Sequence, residues 1–160
     1  MSTEELTIPL SVERLPLPAA RDLHAKLGEL ITKLEADLPT TYSVAAIDIV
    51  LAKGERYGGQ VLNDDGTLSH HVVLLPGQAT DVTWDDAKAW AASIGGELPT
   101  RQEQALLFAN LKGKFEGRIY WSGTQSSSSS AWSQHFSNGC QGSNGKSSEF
   151  AARAVRRLFP

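Results

Sequence analysis

The chain reads as an α+β protein, and three observations predict that class. Apolar residues recur at helical spacing in three separate stretches, each with its own start or stop signal. Between the first and second of these, and again after the third, short apolar and aromatic runs alternate with Gly, Asn and Asp turns, as strands do. Beyond Gly113 no helical pattern returns, so the last third of the chain is expected to be strands and loops.

The bulk properties bound the functional class. A chain of 160 residues suits one domain with an appendage better than two full domains. Hydrophobic residues make up 41% and charged residues 21%, enough for a core and too few charges for global disorder. A net charge of -3 lacks the basic face of a nucleic-acid binder, so no nucleic-acid partner is expected. The one basic cluster, Arg153, Arg156 and Arg157, is read as a strand end whose arginines pair with acidic neighbours. Cys140 is the only cysteine, which excludes an intramolecular disulfide framework. No apolar run reaches the ~18 residues of a membrane span, so no membrane insertion is expected. The start, Met1-Ser2-Thr3-Glu4-Glu5, is acidic where a signal peptide would be basic. Synthesis in the cytoplasm follows as the expectation, with any outside role reached by lysis or on a particle.

Along the chain, residues 1–18 carry Pro9, Pro16 and Pro18 between apolar residues and read as an extended arm. Residues 19–38 carry Leu23, Leu27, Leu30, Ile31 and Leu34 at helical spacing, and Pro39 ends the stretch. Two roles stay open for this helix. It packs as an amphipathic helix on the domain, or it joins copies of the chain into a homo-oligomer, since its leucines alternate spacings of four and three. Residues 1–44 thus form an N-terminal arm and helix, and residues 45–160 the main domain. In that domain Ala46–Ala52 and His71–Leu75 are strand candidates, with turns at Gly58-Gly59 and Asn63-Asp64-Asp65-Gly66. Thr83 caps a helix burying Trp84, Ala87, Trp90, Ala91 and Ile94, stopped by Gly95-Gly96. Thr100 and Glu103 form a capping box opening a helix with Ala105, Leu106, Phe108, Ala109 and Leu111 to bury. Tyr120-Trp121, Ala131-Trp132, Gln134–Phe136, Phe150–Ala152 and Val155–Leu158 are the remaining strand candidates. The Ser-, Gly- and Asn-rich stretch 122–148 is interleaved with Trp132, Phe136 and Phe150, so it reads as ordered loops pinned by aromatic anchors.

Reactive chemistry is sparse. Cys140 with His135 is the one nucleophile and base pairing the spacing permits, and chance alone produces such a pair easily. His70 and His71 are adjacent, and neighbours on a strand face opposite sides, so they do not share an ion. Asn63-Asp64-Asp65-Gly66 lacks the glutamate that closes a calcium loop. Asp81, Asp85 and Asp86 invite a general-acid role, but Asp85 and Asp86 sit in a first helical turn, where the dipole favours negative charge. No cofactor, no metal and no catalytic residue is assigned, and the chain is read as not an enzyme.

A family resemblance rests on motifs in a fixed order. They are Gly95-Gly96-Glu97-Leu98-Pro99-Thr100-Arg101, Tyr120-Trp121-Ser122-Gly123, Ala131-Trp132, Phe136-Ser137-Asn138-Gly139, Lys146-Ser147 and Arg153-Ala154-Val155-Arg156-Arg157. In this order they resemble the C-type-lectin-like domains related to formylglycine-generating enzymes. Within that group they look closest to bacterial and phage variable proteins of diversity-generating retroelements. The resemblance covers residues 54–158. It implies a C-type-lectin-like fold of two helices with small irregular antiparallel sheets, whose long C-terminal loops form a ligand-binding face. It also implies a receptor-binding role toward a protein or glycan on a target cell surface, with virion attachment as a setting. The residues it brings to that face are Tyr120, Ser122, Gln125, Ser127, Ser128, Ser133, His135, Asn138, Cys140, Gln141, Ser143 and Asn144, with the tryptophans as anchors. Two departures limit the carry-over. The calcium-site loops and paired disulfides of sugar-binding lectins are absent, and one cysteine cannot supply the reactive pair of a formylglycine-generating enzyme. An enzyme remnant using Cys140 and His135, or a structural virion protein without a specific ligand, stand as the alternatives.

Overall fold

The computed structural model describes residues 16–36 and 47–160. The chain divides into two compact units, Met1–Ile47 and Asp48–Pro160. The described part of the first is one helix, α1, Leu17–Ala36. It begins earlier than the periodicity suggests, because Pro18 in a first turn lacks only an N–H that has no helical partner there. The arm expected over residues 1–18 therefore ends before Leu17, and residues 1–15 lie outside the described residues. None of the helix's residues is buried. Gly28 near its middle costs about 1 kcal/mol relative to alanine.

The second unit is α+β, with two open sheets and two helices among the described residues. Strands β1 (Arg56–Leu62), β2 (Leu68–Leu74) and β8 (Val155–Leu158) form a three-stranded antiparallel sheet in the order β1-β2-β8. The five-stranded sheet has the order β3-β7-β4-β5-β6, from β3 (Ala79–Val82), β7 (Phe150–Ala152), β4 (Ile119–Gln125), β5 (Ser130–His135) and β6 (Gln141–Gly145). Its one parallel pairing is β4 with β7.

The Asn63–Gly66 turn joins β1 to β2 as expected, with the Gly66 amide donating to Asn63 and the Asp65 carboxylate accepting from Thr67. Gly58 and Gly59 form no turn. They lie inside β1, and a Cβ on Gly58 would stand 2.9 Å from Leu107 Cδ2, so the glycine admits the next helix against the strand. Ala46–Ala52 forms no strand over its described part. Ile47, Val50 and Leu51 are exposed there, so the apolar run found no sheet to join.

Helix α2 (Trp84–Ser93) starts at Thr83, whose hydroxyl accepts from the Asp86 amide, and buries Trp84, Ala87 and Ala91. Trp90 is half-buried, and Ile94 is exposed at the C-cap instead of inside. Gly95 has φ +78 and its amide returns to Ala92, which ends the helix. Helix α3 (Arg101–Leu111) opens on the expected capping box, with both reciprocal bonds between Thr100 and Glu103. Its buried face is Glu103, Gln104 and Leu107, while Ala105 and Ala109 face solvent.

Two apolar clusters hold this unit. Trp84, Leu98, Trp121, Ala131 and Ala154 pack under α2, and Val72, Leu74, Leu107, Tyr120, Phe136 and Val155 pack under α3. Burying each large side chain is worth roughly 1.5–3 kcal/mol. The indole N–H of Trp84 donates to Ser122 O and that of Trp121 to Val82 O, so neither is orphaned.

Candidate functional site

The strands β4, β5 and β6 build the polar end of the molecule. Register aligns Tyr120, Gln134 and Gln141 across one face and Ile119 with His135 on the other. On the same side as His135 stand Ser133 opposite Gly142 and Ala131 opposite Asn144. Strand β6 was not expected. Its sequence, Gln-Gly-Ser-Asn-Gly, carries no β-branched or aromatic residue, and pairing with β5 alone makes it a strand.

The face turned toward α3 is tied by one arginine. Arg101, the first residue of α3, places its guanidinium 3.4 Å from the Trp132 ring centroid. Its Nε donates to Gln141 Oε1, and Gln141 Nε2 donates back to the Arg101 carbonyl and to Gln134 Oε1. These bonds hold the Trp132 ring and the Gln141 side chain in place. Arg101 was not among the expected site residues. The signal for it lay in the capping box, which fixes where the first helical side chain stands.

The opposite face opens into a cleft of about 290 Å³, lined by Asp81, Gly117, Arg118, Ile119, His135, Glu149, Phe150 and Ala151. Arg118 reaches Asp81 at 3.3 Å and Glu116 at 3.7 Å. Asp81 has φ +54 and is the one non-glycine residue at positive φ among the described residues. His135 Nδ1 accepts from the Ser137 amide, which leaves Nε2 as the donor of the neutral ring. Sequence reasoning names His135 and, as an acid candidate, Asp81, but not Arg118 or Glu149, and the four are brought together by β3, β4, β5 and β7, far apart in the chain.

The twelve expected residues divide by burial. Tyr120, Ser122 and Ser133 are 1%, 0% and 3% exposed, so their side chains lie beneath the surface. The Tyr120 ring packs edge-on against Phe115 and Phe136, and its hydroxyl donates to Gln78. Ser122 Oγ donates to Trp132 O, and Ser133 Oγ accepts from Asn144 Nδ2. Alternation fails in β4, where Tyr120, Trp121 and Ser122 are consecutive and all buried, because the middle of this strand is covered on both faces. The other nine are not buried. Gln125, Ser127 and Ser128 lie in the β4 end and the turn after it, where Lys146 Nζ donates to Ser128 O. Asn138 and Cys140 occupy the tight β5–β6 turn, with the Cys140 amide on Asn138 Oδ1. Ser143 on β6 meets Ser126, Oγ to Oγ at 2.6 Å.

Cys140 and His135 are brought together through their backbones, since the His135 amide donates to Cys140 O. The ring, however, is held by the Ser137 amide and hydroxyl and makes no hydrogen bond to the thiol. His70 and His71 do face apart. His70 Nε2 lies 2.8 Å from Glu103 Oε1, and His71 Nδ1 is 3.0 Å from the Tyr57 hydroxyl.

A separate cleft of about 320 Å³ lies between α2 and the 96–100 connection, beside Lys88, Leu98, Thr100 and Arg157. The charge at its back is already spent. Arg157 pairs with both Glu97 and Glu103. Burial alone would raise the Glu103 carboxyl, but the Arg157 fork, the Thr100 amide and His70 outweigh it and hold its pKa lowered. Among the described residues no group of His, Cys, Asp and Glu is placed to hold a metal ion, and no helix is long and apolar enough to cross a membrane. The chain matches no protein-family model and no curated protein sequence at significance.

Proposed function

We propose that the protein is a non-catalytic ligand-binding module whose second unit is a C-type-lectin-like domain. In this reading the surface of β5, β6 and their turns engages a protein or glycan on a target cell, as the resemblance to retroelement variable proteins implies. One observation carries the reading: side chains at the polar end are exposed while the backbone beneath them is fixed. Ser126–Ser130, Asn138–Cys140 and β6 project small polar groups, and Trp121, Phe136 and the Arg101–Trp132 stack hold their bases. Rigid aromatic anchors under adaptable polar side chains are how paratopes combine specificity with tolerance to replacement. The unsatisfied geometry of the Cys140 and His135 pair favours binding over an enzyme remnant, and the open cleft beside His135 favours a specific ligand over a purely structural virion role.

The test has a genetic arm and a binding arm. Sequencing around the gene is expected to reveal a reverse transcriptase and a near-copy of the codons for Tyr120–Arg157 that differs mainly at adenines. Saturable binding of the full chain to intact bacterial cells or to an immobilised glycan panel is expected to fall at least tenfold on changing Ser127, Gln141 and Ser143 together to Ala. Tight-centred contacts lose this much on truncation. Saturable binding that the triple variant leaves untouched would overturn the assignment of this face.

A further inference from the structure

The helix α1 presents an apolar seam that the described structure leaves uncovered. Leu23, Leu27, Leu30 and Leu34 are 46%, 54%, 56% and 65% exposed, on a helix with no buried residue. Exposure of this kind, contiguous along one face, marks an interaction surface. The spacings run four, three, four, so the leucines occupy successive d, a, d and a positions of a heptad, with Ala20 at the preceding a. A helix that packs on a globular surface needs only a broad stripe at a period of 3.6. Ile31, 46% exposed at the neighbouring e position, widens the stripe, while the four leucines keep the alternation of four and three that a second helix carrying the same seam meets.

We infer that α1 joins copies of this chain in a parallel helical bundle. The occupant of the seam is therefore a second copy of α1. The flanking charges choose the orientation. Lys26 and Lys33 both fall at g positions. An antiparallel partner would set Lys26 of one copy against Lys33 of the other, twice, which repels. A parallel partner sets each g position against an e position, and Lys26 then meets Ile31, over which its aliphatic stem can lie. Lys26 keeps its charge satisfied on its own helix, at 2.7 Å from Asp22. An isolated 20-residue helix with a central glycine is marginal in water, so the seam's burial between copies also accounts for the helix existing. The inference is independent of what the polar end of the second unit binds, and it stands or falls without that reading.

The experiment uses the full chain in sedimentation equilibrium across a dilution series. The expected mass is at least twice 17.3 kDa and a whole multiple of it. The double variant Leu27→Lys with Leu30→Lys is expected to sediment as a monomer. Both sites lie on α1 and are exposed, so the substitutions leave the fold of the second unit intact. An unchanged near-ultraviolet tryptophan spectrum checks this, since all four tryptophans lie after residue 83. For orientation, Ala20→Cys in a Cys140→Ser background is expected to form an interchain disulfide on mild oxidation. Parallel helices place the two sites side by side, and antiparallel ones separate them by about 25 Å at 1.5 Å per residue. A wild-type monomer at every concentration overturns the inference. So does a double variant that stays associated, and an oligomer that forms no such disulfide overturns the parallel arrangement. A monomer whose α1 amides resist exchange would show the seam covered by its own chain.

Discussion

Glu103 is the residue on which the second unit turns. It is fully buried, yet both oxygens are occupied: Oε1 by Arg157 Nε and His70 Nε2, Oε2 by Arg157 and the Thr100 amide. One carboxylate thereby joins α3, β2 and β8. A buried ion pair adds little over an apolar substitute, but removing one partner strands the other charge. Glu103→Gln keeps the shape and deletes the charge, leaving Arg157 half-paired. The expected loss is roughly 3–5 kcal/mol in urea denaturation. A loss below about 1 kcal/mol would mean Arg157 is satisfied by Glu97 alone. Acid should act on this pair and on a second one, Glu55 with Arg156. Glu55 is held down to about 2, first by its bonds to Arg156, against an ordinary value of 4.5. A carboxylate lowered on folding stabilises above its unfolded pKa and loses that stabilisation as pH falls through the folded one. Glu103 is lowered in the same direction. Stability is therefore expected to be flat above about pH 5 and to drop between about pH 5 and pH 2. Replacing Glu55 with Gln should flatten part of that drop, read as the midpoint of acid unfolding followed by tryptophan fluorescence.

Among the elements, those with local start and stop chemistry were the legible ones. Thr83 with Asp86, Thr100 with Glu103, and Gly95 fix α2 and α3 within a few residues, because capping satisfies backbone groups that are nearest neighbours in sequence. Thr100→Ala removes the acceptor for the Glu103 amide and loosens the carboxylate beside it. It is expected to cost about 1 kcal/mol, rising toward 2 if Glu103 shifts, as measured by thermal unfolding. An unchanged midpoint would place the helix start under the control of the Arg101–Thr124 bond instead. What escaped the sequence depended on partners far away. The run 47–52 has strand composition and pairs with no strand among the described residues. Strand β6 has loop composition and a strand beside it. Gly58 and Gly59 look like a turn because glycine has two uses, and only the approach of Leu107 shows that close packing is the one here. Leu107, Gln104 and Glu103 were missed as α3's inner face for a related reason. Two polar residues at buried positions disguise the stripe, and their partners come from β2, β4 and β8. The site shows the same division. His135, Gln141 and Ser143 were legible as polar residues among anchors, whereas Asp81, Arg118 and Glu149 become neighbours only through the β3-β7-β4 pairing.

At the scale of the molecule, the proposed display role makes a demand that an ordinary loop surface does not. Exposed positions at the polar end must accept replacement without disturbing the layer under them. The structure separates those layers by a single residue along β5. Trp132 and His135 remain partly accessible, and Ser133 and Gln134 between them are sealed by hydrogen bonds. Substitutions away from buried features change stability by no more than about 0.5 kcal/mol, and core ones by several. Randomising Ser127, Ser128, Asn138, Cys140 and Ser143 together is therefore expected to yield variants that mostly fold, with melting midpoints near that of the parent. Randomising Tyr120, Ser122 and Ser133 is expected to yield mostly insoluble chains, because each carries a buried bond or ring that few side chains can replace. The contrast is read by sorting a displayed library for protease resistance and sequencing the survivors. Equal tolerance in both sets would mean that the polar end is supported elsewhere. Equal intolerance would mean that the exposed residues are themselves structural, and a surface of that kind cannot vary its ligand while keeping its fold.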